Sequence, residues 1–208
     1  KAPEAWKRTR GSYTKKDGTE GRVKVLVIDT GTRCDPITGR ASHPDLLGAY
    51  VAGRDFTGSP YGVDDRNGHG TATSALICAN NNDAGMVGIA SDADVWIAKA
   101  LGDDGSGLNS WIAAAVRWAD EELDVDVISF SGGSPQPDAE LYAAIDAFLG
   151  RRKQRFFVAA AGNDGTDNSV NFPASHPKVL AVGATTRTGA TARFSSRGEQ
   201  VDCACPGE

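Results

Sequence analysis

Cysteine, a basic surface and long apolar runs are what this sequence lacks. Only Cys34, Cys78, Cys203 and Cys205 occur in 208 residues, with no C-x-x-C pair and no histidine at ligand spacing. That pattern argues against a metal site and reads as small buried hydrophobes, with one disulfide left open. No apolar stretch approaches a membrane span, and no segment has the charged, apolar and small-residue parts of an export signal. The protein is therefore expected to have no membrane partner, and any leader would lie outside this chain. A formal net charge of -5 speaks against nucleic acid, whose phosphates need clustered Lys and Arg. The two basic clusters are Lys7-Arg8-Thr9-Arg10 and Arg151-Arg152-Lys153. The second reads as a helix C-terminus, where cations complement the dipole.

What is present is one domain's worth of chain, residues 1–208, with 40% hydrophobic residues, 24% charged residues and 25 glycines. Its strongest feature is Val23-Lys24-Val25-Leu26-Val27-Ile28-Asp29-Thr30-Gly31. Five of the first six residues are apolar and four of those are β-branched, as in a strand buried on both faces of a parallel sheet. Asp29 ends that strand, at the edge where α/β sheets gather ligands and catalytic groups. Residues 1–22 read as polar and irregular, and 30–68 as a long loop of the kind that is usually functional. Helix is predicted from His69 to about Asn80. Strand and helix then alternate: strand at 95–101, helix at 109–122, strand at 125–130, helix at 137–150, and strands at 155–161 and 178–183. The alternation predicts an α/β fold, a parallel β-sheet with helices on both faces. There is no internal repeat and no low-complexity tract.

Three polar residues stand where local structure does not demand them. Asp29 is the first. His69 is the second, flanked by glycines that let backbone approach closely, at a helix start whose dipole disfavours the imidazolium. Asn163 is the third, on a Gly-flanked turn after the small-residue run Ala159-Ala160-Ala161. Each alone is compatible with an ordinary cap or turn residue. Together they are the parts for acyl transfer: an orienting carboxylate, a general base and an oxyanion donor.

These motifs resemble those of the subtilisin-like serine proteases, nearly from end to end of the chain. Val27-Ile28-Asp29-Thr30-Gly31 is similar to the family's aspartate motif, His69-Gly70-Thr71 to its histidine motif, and Ala161-Gly162-Asn163 to its oxyanion turn. Leu101-Gly102-Asp103-Asp104-Gly105-Ser106-Gly107 and Ser131-Gly132-Gly133 resemble the two walls of the substrate cleft. Weaker matches follow the family's order at Ser42-His43-Pro44-Asp45-Leu46, Phe172-Pro173-Ala174 and Phe194-Ser195-Ser196.

The resemblance implies a three-layer α/β/α fold and a peptidase in which Asp29 orients His69, His69 deprotonates a serine, and Asn163 stabilises the oxyanion. A polypeptide substrate would pair as a strand between Gly105, Ser106 and Gly107 and Ser131, Gly132 and Gly133. The pocket for the residue before the cut would be lined by Ser131, Gly132, Gly133, Ala161, Gly162, Phe172, Pro173 and Ala174. A propeptide or inhibitor is a further partner implied for the cleft, and a secreted or extracellular location is implied likewise. A structural calcium would be held by the side chains of Asp45 and Asn82 and the carbonyls of Asn80, Ala84 and Met86.

Departures from the family pattern carry expectations too. Thr71-Ala72-Thr73-Ser74 stands where a second histidine is common, and Gly132 where an apolar residue is. No Gly-Thr-Ser-Met-Ala nucleophile motif occurs. Cys203-Ala204-Cys205-Pro206 resembles the segment roughly twenty residues before that serine, and Lys1-Ala2-Pro3 resembles a helix already inside the domain. The chain is accordingly expected to be a peptidase domain incomplete at both ends and inactive alone. Two rivals remain: a protease-like domain that binds peptide without cutting, and an aspartic protease built on Asp29-Thr30-Gly31.

Overall fold

Central in the computed structural model, which describes residues 2–208, is the strand Lys24–Asp29. Ahead of it lie a short helix, α1 (Ala2–Trp6), and a hairpin of β1 (Ser12–Thr14) and β2 (Glu20–Arg22). This segment was expected to be irregular. Its order comes from single contacts that composition hides: the Trp6 indole donates to the Ile89 carbonyl at 3.0 Å, and the Tyr13 ring lies against Gly21, where a side chain would collide.

The central strand is β3 (Lys24–Asp29), followed by β4 (Tyr50–Asp55), α2 (His69–Cys78), β5 (Asp94–Lys99), α3 (Asn109–Trp118), β6 (Val127–Phe130) and α4 (Ala139–Arg151). Then come β7 (Phe156–Ala160), β8 (Leu180–Thr185) and β9 (Val201–Pro206). Seven strands form one sheet in the order β4-β5-β3-β6-β7-β8-β9, and every pairing is parallel. Alternate β3 residues feed two cores. Leu26 and Ile28 pack with Ile112, Val116, Ile145, Phe148 and Phe157 under α3 and α4. Val25 and Val27 pack with Leu46, Ala75, Cys78 and Ile97 under α2. This is the three-layer α/β/α arrangement, and it explains why β3 is apolar from Val25 to Ile28.

Both edge strands escaped the sequence reading. β4 fell inside the expected loop because Tyr50-Val51-Ala52-Gly53-Arg54-Asp55 is only partly buried and pairs on one side alone. β9 carries Pro206, tolerable at an edge that needs no second ladder. Consequently Cys203 and Cys205 are exposed rather than buried, while Cys34 and Cys78 are buried as expected; all four are free thiols.

The expected helix over 109–122 is α3 continued by a single π turn, Ala119–Leu123, ended by Asp124 at φ 51. The turn's position has a chemical reason. Asp120 and Asp124 both accept from the fully buried Arg155 guanidinium, which also donates to the Phe148 carbonyl at 3.2 Å. Arg151 pairs with Asp120 at 2.7 Å, and Arg152 with Asp126 at 2.7 Å. Specific carboxylates, beyond the helix dipole, therefore hold that basic cluster. The network lies at the amino end of β7, leaving the opposite edge of the sheet free for chemistry. There the chain leaves β3 toward β4 and β5, then crosses back to β6 on the other side. Such a reversal of strand order opens a crevice beyond the carboxyl end of β3.

Candidate active site

Asp29, the last residue of β3, is fully buried, and His69 is the first residue of α2. Their side chains meet: His69 Nδ1 lies 2.7 Å from Asp29 Oδ1. A carboxylate accepts, so the Nδ1 proton faces Asp29 and Nε2 presents its lone pair. His69 is 48% exposed at its side chain and opens onto the crevice. The remaining Asp29 valences are filled by the Thr30 N–H at 2.7 Å and the Thr73 hydroxyl at 3.1 Å.

Two glycines make the approach possible. A Cβ on Gly70 would lie 2.2 Å from the Gly31 carbonyl oxygen, and Gly31 itself sits at φ 107 with its missing Cβ 2.3 Å from the Val63 oxygen. The glycine-flanked histidine inferred from sequence is thus needed for α2 to sit on the β3 turn.

Gly68, the N-cap of α2, offers no side chain to the helix. Its first N–H groups are met from elsewhere: His69 by Asn67 Oδ1 at 3.4 Å, Gly70 by Thr30 Oγ1 at 2.9 Å and Thr71 by Asp65 Oδ2 at 2.9 Å. Asp65 is buried and also accepts from the Thr30 and Thr71 hydroxyls, at 2.9 and 2.6 Å, and from the Asn67 and Gly68 amides, at 3.0 and 2.9 Å. An anion at this helix start offsets the dipole that would penalise a cationic His69. Lys99, fully buried at the end of β5, donates to the Thr30 carbonyl at 2.6 Å and pairs with Asp103 at 2.8 Å. It ties the aspartate turn to the loop that forms one cleft wall.

Sequence reasoning missed Asp65, Thr73 and Lys99. Signals existed for each: a carboxylate four residues before the helix start, a hydroxyl four residues after His69 on the same helix face, and a charge ending an apolar strand.

The crevice is a cleft of about 350 Å³ lined by His69, Leu101, Gly105, Ser106 and Gly107 on one side and Ser131, Gly132, Gly133, Phe172 and Pro173 on the other. Among the described residues no carboxylate lines it. The backbone amides of Gly107, Gly132 and Gly133 have no acceptor among the described residues. Ala161, Gly162 and Ala174 do not line this cleft: Ala161 is buried, with its amide on the Val182 carbonyl, and Ala174 is buried. Asn163 stands exposed on the turn after β7, also outside the cleft lining. That turn is braced by Asp164, which accepts from Asn171 Nδ2 and Ser196 Oγ, both at 3.1 Å.

Of the residues assigned to calcium, the structure brings Asp45, in the turn Pro44–Leu46, against the loop after α2 that carries Asn80, Asn82, Ala84 and Met86. The buried Asp45 carboxylate accepts from Asn82 Nδ2 and the Met86 amide, each at 3.3 Å; Asn82 Oδ1 accepts from Ala84 N–H at 3.2 Å, and the Asn80 amide donates to the Asp45 carbonyl at 2.7 Å. The side chains supply one carboxylate and one amide oxygen, ligand types that suit a hard cation, and here each of these oxygens accepts from an N–H group.

Comparison with known proteins gives the family of the chain. Residues 20–208 match the Subtilase family. The chain is 38% identical to an "Intracellular serine protease" of Paenibacillus polymyxa, over 100% of this chain and 60% of that protein. It is 35% identical to the "Major intracellular serine protease" of Bacillus subtilis strain 168, over 100% of this chain and 62% of that protein. To "Subtilisin BL" of Lederbergia lenta it is 37% identical, over 91% of this chain and 65% of that protein. The chain thus spans about three-fifths of the length of the first two relatives. Two of these relatives are described as intracellular, so similarity alone does not place this chain outside a cell. No helix among the described residues is long and apolar enough to cross a membrane.

Asp65 carries a pH dependence. Burial acts to raise its pKa, but hydrogen bonds from Thr71, the Gly68 amide and Thr30 outweigh it and hold the carboxyl below the ordinary 3.8. A depressed folded-state pKa gives stability that is present above 3.8 and lost as pH falls through the folded value. Melting temperatures of the chain and of Asp65→Asn should therefore differ at neutral pH and converge as pH falls below about 3.8. A gap that persists unchanged into strong acid would contradict the ionised assignment.

Proposed function

Because the chain belongs to the subtilase family, we propose that it supplies the base, its orienter and the substrate cleft of a serine endopeptidase. The observation that carries this reading is the 2.7 Å Asp29–His69 hydrogen bond at the mouth of a cleft with unpaired main-chain donors. In the proposed mechanism Asp29 fixes the His69 tautomer, so that Nε2 takes the proton from an attacking serine hydroxyl and later returns it to the leaving amine. Asn163 donates to the tetrahedral oxyanion, a role that requires its turn to face the reacting carbonyl once substrate is bound. Polypeptide docks as an added strand between Gly105, Ser106 and Gly107 and Ser131, Gly132 and Gly133, where bare backbone meets backbone. The Gly107 amide on one wall and the Gly133 amide on the other supply donors to the ladder, since Ser134 turns its own amide the other way, to the Phe172 carbonyl. A propeptide or inhibitor would use the same cleft.

The attacking hydroxyl is proposed to come from outside these 208 residues. His69 has no serine among its hydrogen-bond partners in the described residues; Ser131 lies in the cleft wall, and Ser195 and Ser196 are buried, bonded to the Ala184 amide and to Asp164. An aspartic-protease reading is not supported, since Asp29 is bonded to His69, Thr30 and Thr73 and to no second carboxylate. Secretion gains no support from cross-links, since all four cysteines are free.

A serine-directed fluorophosphonate should leave the 208-residue chain unlabelled and should label the longer natural protein at a serine past Glu208. Labelling of the isolated chain at any of its own serines would overturn the assignment. Failure of the longer protein to label would favour the peptide-binding, non-catalytic reading.

Specificity follows from the lining. Ser131, Gly132, Gly133, Phe172 and Pro173 offer small or apolar surface and no acidic group. The completed enzyme should prefer a large apolar or aromatic side chain before the cut over Lys or Arg by about tenfold or more, read by cleavage mapping of a peptide library. A dominant basic preference would refute the pocket.

Calcium is proposed as a structural ligand of Asp45, Asn82 and the carbonyls of Asn80, Ala84 and Met86. A single carboxylate makes a weak site, with a dissociation constant of about 1 mM. At about 10 mM calcium the gain is about 1.4 kcal/mol, or a melting-temperature rise of roughly 3–6 °C. Asp45→Asn should abolish the rise; its persistence in that variant would place the ion elsewhere.

A further inference from the structure

Two segments meet at the Asp29–His69 pair: the turn Asp29-Thr30-Gly31 and the helix start Asp65-Arg66-Asn67-Gly68-His69-Gly70-Thr71. What fixes their separation, beyond the imidazole itself, is a buried relay. Gly70 N–H donates to Thr30 Oγ1 at 2.9 Å, and that hydroxyl donates onward to Asp65 Oδ1 at 2.9 Å. Asp65 Oδ2 in turn holds the Thr71 amide and hydroxyl, at 2.9 and 2.6 Å. Thr30 follows the orienting carboxylate in sequence and Thr71 lies two residues past the base, so one carboxylate is bonded to the neighbours of both.

We infer that Asp65 is a positioning residue for the catalytic pair, setting the Asp29–His69 distance through Thr30 and Thr71. The inference rests on the reading of Asp29 and His69 as orienter and base. An acceptor-only group suits the role, because every atom facing it is a donor: two hydroxyls and three backbone amides. Burial strengthens each of these bonds by excluding water, and a neutral amide in the same place would turn an N–H toward the Thr71 or Gly68 donors. Asp65 touches neither substrate nor the reacting atoms; it acts by closing the loop 65–71 onto the β3 turn. Lys99 braces the same turn from the other side through the Thr30 carbonyl, so Thr30 is held at both its side chain and its main chain.

The test is proton NMR of the 208-residue chain, reading the low-field resonance of the His69 Nδ1 proton bonded to Asp29. Asp65→Asn should fold, by circular dichroism, yet lose or strongly broaden this resonance. Thr30→Val, which cuts the relay without touching either charged group, should do the same, and Thr30→Ser, which keeps the hydroxyl, should restore it. A purely structural role would lower the melting temperature of these variants and leave the resonance of the folded protein in place. A sharp, unshifted signal in folded Thr30→Val and Asp65→Asn would overturn the role of Asp65 while leaving the pair intact. Absence of the signal from the unaltered chain, with His69→Ala spectra identical to it, would overturn the pair and this inference with it.

Discussion

The hydrogen bond between Asp29 and His69 joins residues 40 positions apart, and much of the upper edge of this fold serves to make it short. Asp29 is delivered by a strand buried on both faces, so its place is fixed by the sheet. His69 is delivered by a helix that follows a long excursion from β3 through β4 and packs on the sheet through Ala75 and Cys78. Gly70 removes the Cβ that would keep the helix off the Gly31 carbonyl, and Gly31 removes the one that would strike the Val63 carbonyl. Hydrogen bonds from Asn67, Thr30 and Asp65 replace the cap that Gly68 cannot provide.

Electrostatics and packing act together there. Asp29, Asp65 and Lys99 are buried with relative exposures of 0, 2 and 0%, beneath one half-exposed imidazole. Buried charges persist only when paired or fully hydrogen-bonded, and each of these is. Asp29 is met by His69, Thr30 and Thr73, Asp65 by five donors, and Lys99 by Asp103 and the Thr30 carbonyl. Because these partners are shared among the aspartate turn, the histidine helix and the cleft wall, the three cannot shift independently. The amino end of the sheet holds a separate network around Arg155, which fixes the start of β7 without touching the cleft.

Much of this was legible in the residues. The apolar run into Asp29 and the glycine-flanked His69 declare themselves, because buried parallel strands and close backbone approach leave strong compositional marks; the cleft glycines at 105, 107, 132 and 133 came only through the family resemblance. β4 and β9 left none, since an edge strand pairs on one side and tolerates polar residues and proline. Asp65 and Lys99 went unremarked, because burial of a charge is decided by partners that arrive from distant segments. The exposed turn at Asn163 shows the converse: the residue type was conspicuous, but nothing in the local sequence tells which way its side chain faces, and it stands outside the cleft lining. The π turn at Ala119–Leu123 was likewise hidden, being a response to Arg155 far along the chain rather than to its own sequence.

The central claim is that the cleft beside His69 receives an extended polypeptide by strand addition. Amide hydrogen–deuterium exchange of the 208-residue chain, with and without an excess of a peptide carrying a central phenylalanine, tests it directly. The account predicts slowed exchange at Gly107 and Gly133, whose amides have no acceptor among the described residues, and a weaker effect when lysine replaces the phenylalanine. Protection appearing on another surface, or bound peptide with no change at these two amides, would contradict it.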